Sequence, residues 1–242
     1  MKNFVGKTRF SRSAWIRIAI LAVLALAFLL LPVYLKNEYV MRIATLCVMY
    51  SALALTLNLI TGVMGQVSLG HAAFMGIGAY TSAILSANFE WNFVITALCA
   101  LLVSALFGIL LGIPALKLSG SYLAIVTLGF CEVVRLVELN WVSLTRGPMG
   151  MTGIKKPNIF GLQISSSTGY FYLCVVMFAL IMFLVVNIMN SRMGRAIMSV
   201  REDEIAAGAM GVNIRYYKVL TFTISAGLAG LMGAFYAHYM RF

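Results

Sequence analysis

Between Arg42 and Glu90 the chain runs for 47 residues, Ile43 to Phe89, without an aspartate, glutamate, lysine or arginine. About 20 apolar residues already span the hydrocarbon core of a bilayer, so a run of this length holds two crossings and a break between them. The break is expected where glycines gather with polar side chains, at Gly62, Gly65, Gln66, Ser68, Gly70 and His71. Non-helical backbone is tolerated at membrane depth only where protein or a water-filled cavity supplies its hydrogen-bond partners. The polar patch should therefore face a bundle interior or a solute path.

Composition supports the same class. Hydrophobic residues make up 62% of the chain and charged residues 10%, which is the balance of an integral membrane protein. The net charge of +11 sits in short segments flanking apolar runs, without a basic stretch interleaved with aromatics. That pattern is explained by retention of positive residues on the cytoplasmic side, and it excludes a nucleic-acid partner. Cys47, Cys99, Cys131 and Cys174 lie far apart within apolar segments, so neither a metal site nor a disulfide framework is indicated. Residues 1–17 hold five basic residues and no acid. The apolar run that follows continues past the Ala25-Leu26-Ala27 cleavage-like triplet to Leu35, which favours a retained first crossing over a signal peptide. Gly6-Lys7-Thr8 lacks the first glycine of a phosphate-binding loop, and Gly76-Ile77-Gly78 lacks the third of a dinucleotide fingerprint.

The expected fold is all-α: a polytopic transmembrane bundle of about seven segments with a broken-helix region near 62–71. A basic cytoplasmic N-terminus, 1–17, precedes a transmembrane domain, 18–242, with crossings near 18–35, 43–60, 69–87, 93–116, 121–141, 170–190 and 219–239. Gly108 and Gly112 in the fourth, and Ala226, Gly230, Ala234, Gly227 and Gly233 in the last, have the small-residue spacing that lets helix backbones approach closely. His238, near the outer end of the last, is read as an interfacial side chain. The fifth carries Glu132, Arg135 and Glu138, whose spacing of three lets the two acids bracket the arginine. Such charges face inward or toward an interface, as a structural ion pair or as a substrate contact. Between the last two crossings, 191–218 carries five basic residues against three acids and is expected in the cytoplasm. There Ser199-Val200-Arg201-Glu202 fits a capping box, and Gly211 fits a left-handed stop. The expectation is a three-turn helix whose Ala206, Ala207, Gly208 and Ala209 half is thin enough to enter a groove on another protein.

Gly65-Gln66-Val67-Ser68-Leu69-Gly70-His71-Ala72-Ala73-Phe74 with Gly78-Ala79-Tyr80 resembles the signature of permease subunits of bacterial ABC importers for branched-chain amino acids. Ser121 to Gly129 with Glu132, and Thr145 to Gly150 with Gly153-Ile154, resemble the same family. So does the coupling segment Gly194-Arg195-Ala196 with Glu204-Ile205-Ala206-Ala207 and Gly211, although Ile205 interposes before the alanine pair. The resemblance implies a multi-pass subunit of the bacterial inner membrane, N-terminus cytoplasmic, that is not itself an enzyme and binds no cofactor. ATP would be hydrolysed by separate ATP-binding cassette subunits. A second related permease would complete the path, and an extracytoplasmic binding protein would deliver substrate. On this reading Gln66, Ser68 and His71 lie near the path or satisfy the broken backbone, and Arg201, Glu202, Glu204, Ala207 and Gly211 contact the ATPase. Family members continue into further membrane segments, so the chain is expected to be truncated at its C-terminus. Importers of urea, short amides or other amino acids share these motifs; a lone channel or carrier and an inactive remnant are the competing classes.

Overall fold

The computed structural model describes residues 37–242, apart from 116–117, 119, 160–161 and 164–165, together with Pro32. The expected N-terminal segment 1–17 lies outside the described residues, as does the first crossing, 18–35, save Pro32. Helix α1, Glu38–Asn58, starts where the Asn37 side chain accepts a hydrogen bond from the Tyr39 amide. It widens into a π turn, Leu59–Val63, before the chain leaves helical geometry. Helix α2 resumes at His71 and runs to Asn88. Helix α3 is Phe93–Ala115, with Pro114 in its last turn, and α4 is Ser121–Asn140.

A loop follows, holding the short helix α5, Val142–Thr145, and a single turn, Gly147–Met149. It also holds a two-residue antiparallel pair, β1 (Asn158–Ile159) against β2 (Leu162–Gln163), a small departure from the all-α expectation. Helix α6, Ser167–Asn190, is capped by Ser166. Then come α7, Arg192–Glu202; α8, Glu204–Ala209; and α9, Ile214–Met240.

Helix α9 is the axle of the bundle. Of its most apolar stretch 72% is buried, against 22% in α6. Its small residues admit its neighbours at backbone distance: a Cβ at Gly78 of α2 would overlap the Gly230 backbone, and one at Gly230 would overlap Ser104 of α3. A Cβ at Gly108 would come within 2.7 Å of the Ala226 methyl. The small-residue spacing read from the sequence is thus used on α3 and α9, as helix packing in membranes requires. His238 is 1% exposed and makes contacts at 3.1 Å with Ser82 Oγ and 2.8 Å with the Lys155 carbonyl, so it is a core residue and not an interfacial one.

Among the described residues four helices are long and apolar enough to cross a membrane: Glu38–Val63, Phe93–Pro114, Ser167–Asn190 and Ile214–Met240. Small polar residues dilute α2, and Glu132, Arg135 and Glu138 dilute α4, so these two expected crossings do not reach that standard. Connectivity gives the bundle two ends. One carries the break after α1, α7 and α8; the other carries the loop 141–166.

Candidate functional site

Two glycines shape the break. A Cβ at Gly62 would overlap the Asn58 side chain, and Gly65 adopts φ +73° with the Arg201 side chain laid across it. In the π turn Met64 N donates to Leu59 O at 3.2 Å, and Gln66 N reaches Ile60 O at 3.0 Å. π turns of this kind concentrate at functional positions.

The opened backbone is satisfied from other helices. Arg201 Nη1 donates to the Gly62 carbonyl at 2.6 Å, the Leu69 amide donates to Thr127 Oγ1 at 2.9 Å, and Ser225 Oγ donates to the Thr56 carbonyl at 2.5 Å. Gln66, Ser68 and His71 are all buried, at 8%, 3% and 5% exposure. Yet Gln66 Oε1, Ser68 Oγ and His71 Nδ1 find no hydrogen-bond partner among the described residues. Thr56 Oγ1 sits 2.7 Å from His71 Nε2 and gives its own proton to Leu53 O at 2.7 Å. Buried polar atoms are almost always paired, which sets these three apart from most of the buried polar groups described.

The loop between α6 and α9 folds differently from the capping-box reading. Helix α7 starts at Ser191, whose hydroxyl accepts from the Gly194 amide at 3.3 Å, and runs straight through Ser199. Ser199 bonds back to the Ala196 carbonyl instead of capping a helix. The cap is Asp203, extended at φ −157°, whose carboxylate accepts from the Ile205 and Ala206 amides at 2.8 and 3.0 Å. The helix it starts, α8, has six residues rather than three turns. Gly211 does close it, at φ +85°, with Val212 N bonded to the Ala207 carbonyl at 3.0 Å.

Among the residues expected to face a partner Ala207 is buried, while Arg201 and Glu204 are exposed and also bonded within the chain. Arg201 grips Gly62, and Ala207 is 5% exposed. Glu204 pairs with Lys218 of α9 at 2.6 Å, the lysine being 3% exposed and the glutamate 46%. Glu202 and Gly211 remain exposed. The sequence reading missed Ile205 and Met210, exposed by 86% and 85%, more than any other large apolar residue described. Their position on this short helix and at its C-cap is the signal that could have found them.

In α4 the two acids do not bracket the arginine. Glu132 takes Arg135 alone, at 2.8 Å, with both side chains exposed. Glu138 turns the other way: its Oε1 is buried without a partner, and a Cβ at Gly76 of α2 would come within 2.6 Å of it. A cleft of about 360 Å³ lies along α2 on the loop side of the bundle, lined by Tyr50, Gly76, Ala79, Tyr80, Met151 and Tyr236 among others. Gln66, Ser68 and His71 are not part of its wall. Among the described residues no group of three or more histidine, cysteine, aspartate or glutamate side chains could hold a metal.

A bundle of membrane-length helices, one of them interrupted and gripped by a loop helix at one end, is the build of a polytopic permease. The family described as the permease component of the branched-chain amino acid transport system matches residues 39–242, and the chain belongs to that family. It is 39% identical over 218 residues to the high-affinity branched-chain amino acid transport system permease protein LivM of Salmonella typhimurium, covering 81% of this chain and 51% of that protein. To LivM of Escherichia coli K12 it is 37% identical over 227 residues, covering 84% and 53%. To the permease protein LivH of Salmonella typhimurium it is 25% identical over 209 residues, covering 77% and 67%. The chain thus spans about half the length of the LivM proteins it matches. No solved structure matches it.

Proposed function

We propose that this chain is the membrane-spanning permease subunit of an ABC importer for leucine, isoleucine and valine in a bacterial inner membrane, worked by separate ATP-hydrolysing subunits. The observation that carries this reading, beyond family membership, is the Arg201 grip on the Gly62 carbonyl. It ties the interrupted helix directly to the loop helix that an ATPase would push. Glu204 and Lys218 tie the same loop to α9. A stroke on α8 is then delivered to two elements at once, the break and the axle. Ile205 and Met210 are the apolar knobs that an ATPase groove would take, with Glu202 beside them. Gln66, Ser68 and His71 border the solute path near the break. A second, related permease completes that path, and a binding protein delivers substrate at the loop end, where Arg146, Lys155 and Lys156 supply positive charge.

The test is reconstitution of this chain with candidate ATPase, partner permease and binding protein in liposomes. Leucine-loaded binding protein should stimulate ATP hydrolysis, and Ile205→Glu with Met210→Glu should abolish ATPase co-purification while membrane insertion persists. Stimulation by a urea-loaded binding protein, and none by leucine, isoleucine or valine, would overturn the substrate assignment.

A further inference from the structure

At the loop end of the bundle a pocket of about 510 Å³ opens between the last turn of α2 and the start of α3. That volume is ordinary for a small-molecule site. Its wall includes Ser86, Glu90, Asn92, Lys155 and Lys156. Ser86 is 1% exposed, and its Oγ has no hydrogen-bond partner among the described residues. A buried hydroxyl left in that state is rare and calls for a partner from outside the chain. The charges around it do not balance. Glu90 is spent on Lys155 at 2.8 Å, and Lys156 forms no ion pair among the described residues. Two ammonium groups against one carboxylate leave the pocket with one positive charge in excess. Helix α3 also begins in this wall, at Phe93, and the first amides of a helix have no acceptor within it. Hydroxyl, ammonium and amide are all donors to an oxyanion, and a single excess charge matches a carboxylate better than a doubly charged phosphate.

We propose that this pocket takes the α-carboxylate of the incoming amino acid at the loop end, on the Lys156 ammonium and the Ser86 hydroxyl. The half-exposed ring of Trp91, in the same wall, lies beside the solute's side chain. For the identity of the solute the proposal rests on the substrate reading given above. It accounts for two adjacent lysines at one pocket where a single acid answers only the first. A required carboxylate admits amino acids and refuses urea and short amides.

The test uses the importer assembled with its ATPase and partner permease, in nanodiscs without binding protein. Asn92→Cys supplies a reporter in the pocket wall, and its alkylation by N-ethylmaleimide is timed peptide by peptide in a mass spectrometer. The exposed Cys47 serves as the internal control. Leucine and 4-methylpentanoate, which has the carboxylate and no ammonium, should both slow alkylation at 92 and leave Cys47 unchanged. Leucinamide, which has the ammonium and no carboxylate, should slow neither. Lys156→Gln should raise the half-protecting concentration about tenfold, the change expected for loss of one charge-assisted hydrogen bond, and Lys156→Arg should restore it. Ser86→Ala should raise it about fivefold. If leucinamide protects as well as leucine, or either Lys156→Gln or Ser86→Ala leaves protection unchanged, the carboxylate assignment is wrong. If leucine is transported with binding protein present yet protects nothing, the pocket fails and the substrate reading stands. If the carboxylates protect and leucine is not transported, the pocket stands and the substrate reading fails.

Discussion

Two constellations in this chain, each of three charged residues, have opposite architectures. Glu132, Arg135 and Glu138 lie on one helix at a spacing of three, and the pair that forms is local and exposed. Arg201, Glu204 and Lys218 come from three helices; Arg201 reaches across 139 positions to the Gly62 carbonyl, and Lys218 is enclosed. The first pair stabilises one turn of α4. The second set joins the loop helices to the break and to α9. Where a charge is spent on a neighbour it adds little, and where it is spent across elements it fixes how they move together.

The largest effect should come from stranding Lys218. Glu204→Gln leaves a buried ammonium without its acid, and we expect a loss of about 2 kcal/mol, below the 3–5 kcal/mol of fully enclosed pairs because the glutamate is half in solvent. Adding Lys218→Met should recover most of that loss in equilibrium unfolding in detergent. A double variant as unstable as Glu204→Gln alone would remove the distinction between the two constellations. Next, Arg201→Ala should cost about 1 kcal/mol and open the break. Hydrogen exchange of the amides at 62–66 should quicken while those of α9 do not, and unchanged exchange there would show that the grip carries no tension. Third, Glu132→Gln should leave the unfolding midpoint of the isolated chain within error, since an exposed pair on adjoining turns contributes little.

The smallest effect is at Glu90 on the loop end. The Lys155 ammonium, 2.8 Å away, holds its carboxyl below the ordinary value of 4.5. A carboxyl with a lowered folded value contributes stability that is complete above its unfolded value and disappears as pH falls through the folded one. Protection of the 90–92 and 155 amides should therefore weaken only on acidification below about pH 4.5, and Lys155→Gln should remove that dependence. A transition above that pH would contradict the pairing.

Much of this architecture was legible because it is local or periodic. The uncharged run and its glycines announced the break, and the small residues of α3 and α9 announced tight packing; both follow from spacing along a single helix. Gly211 was legible for the same reason. The capping box at Ser199 failed because two caps compete within five residues. Ser191 begins α7 early enough to absorb Ser199 into a helix interior, and Asp203 then supplies the second start. In the sequence Lys218 counts only as a basic loop residue and Arg201 as an ATPase contact, because a one-dimensional reading cannot see a partner on another helix. Glu138 was assigned to Arg135 by spacing, but Gly76 opens a hole on the other side of α4, and that vacancy decides where the side chain turns.

The enclosure of α9 has a mechanical corollary. From Lys218, beneath the loop helices, to Tyr236, in the wall of the cleft, the helix measures about 27 Å at 1.5 Å per residue. Glycine and serine contacts at Gly78, Ser104 and Gly230 hold it at backbone distance from α2 and α3. A push applied at Lys218 is expected to reach Tyr236 by rigid displacement of the helix rather than by bending.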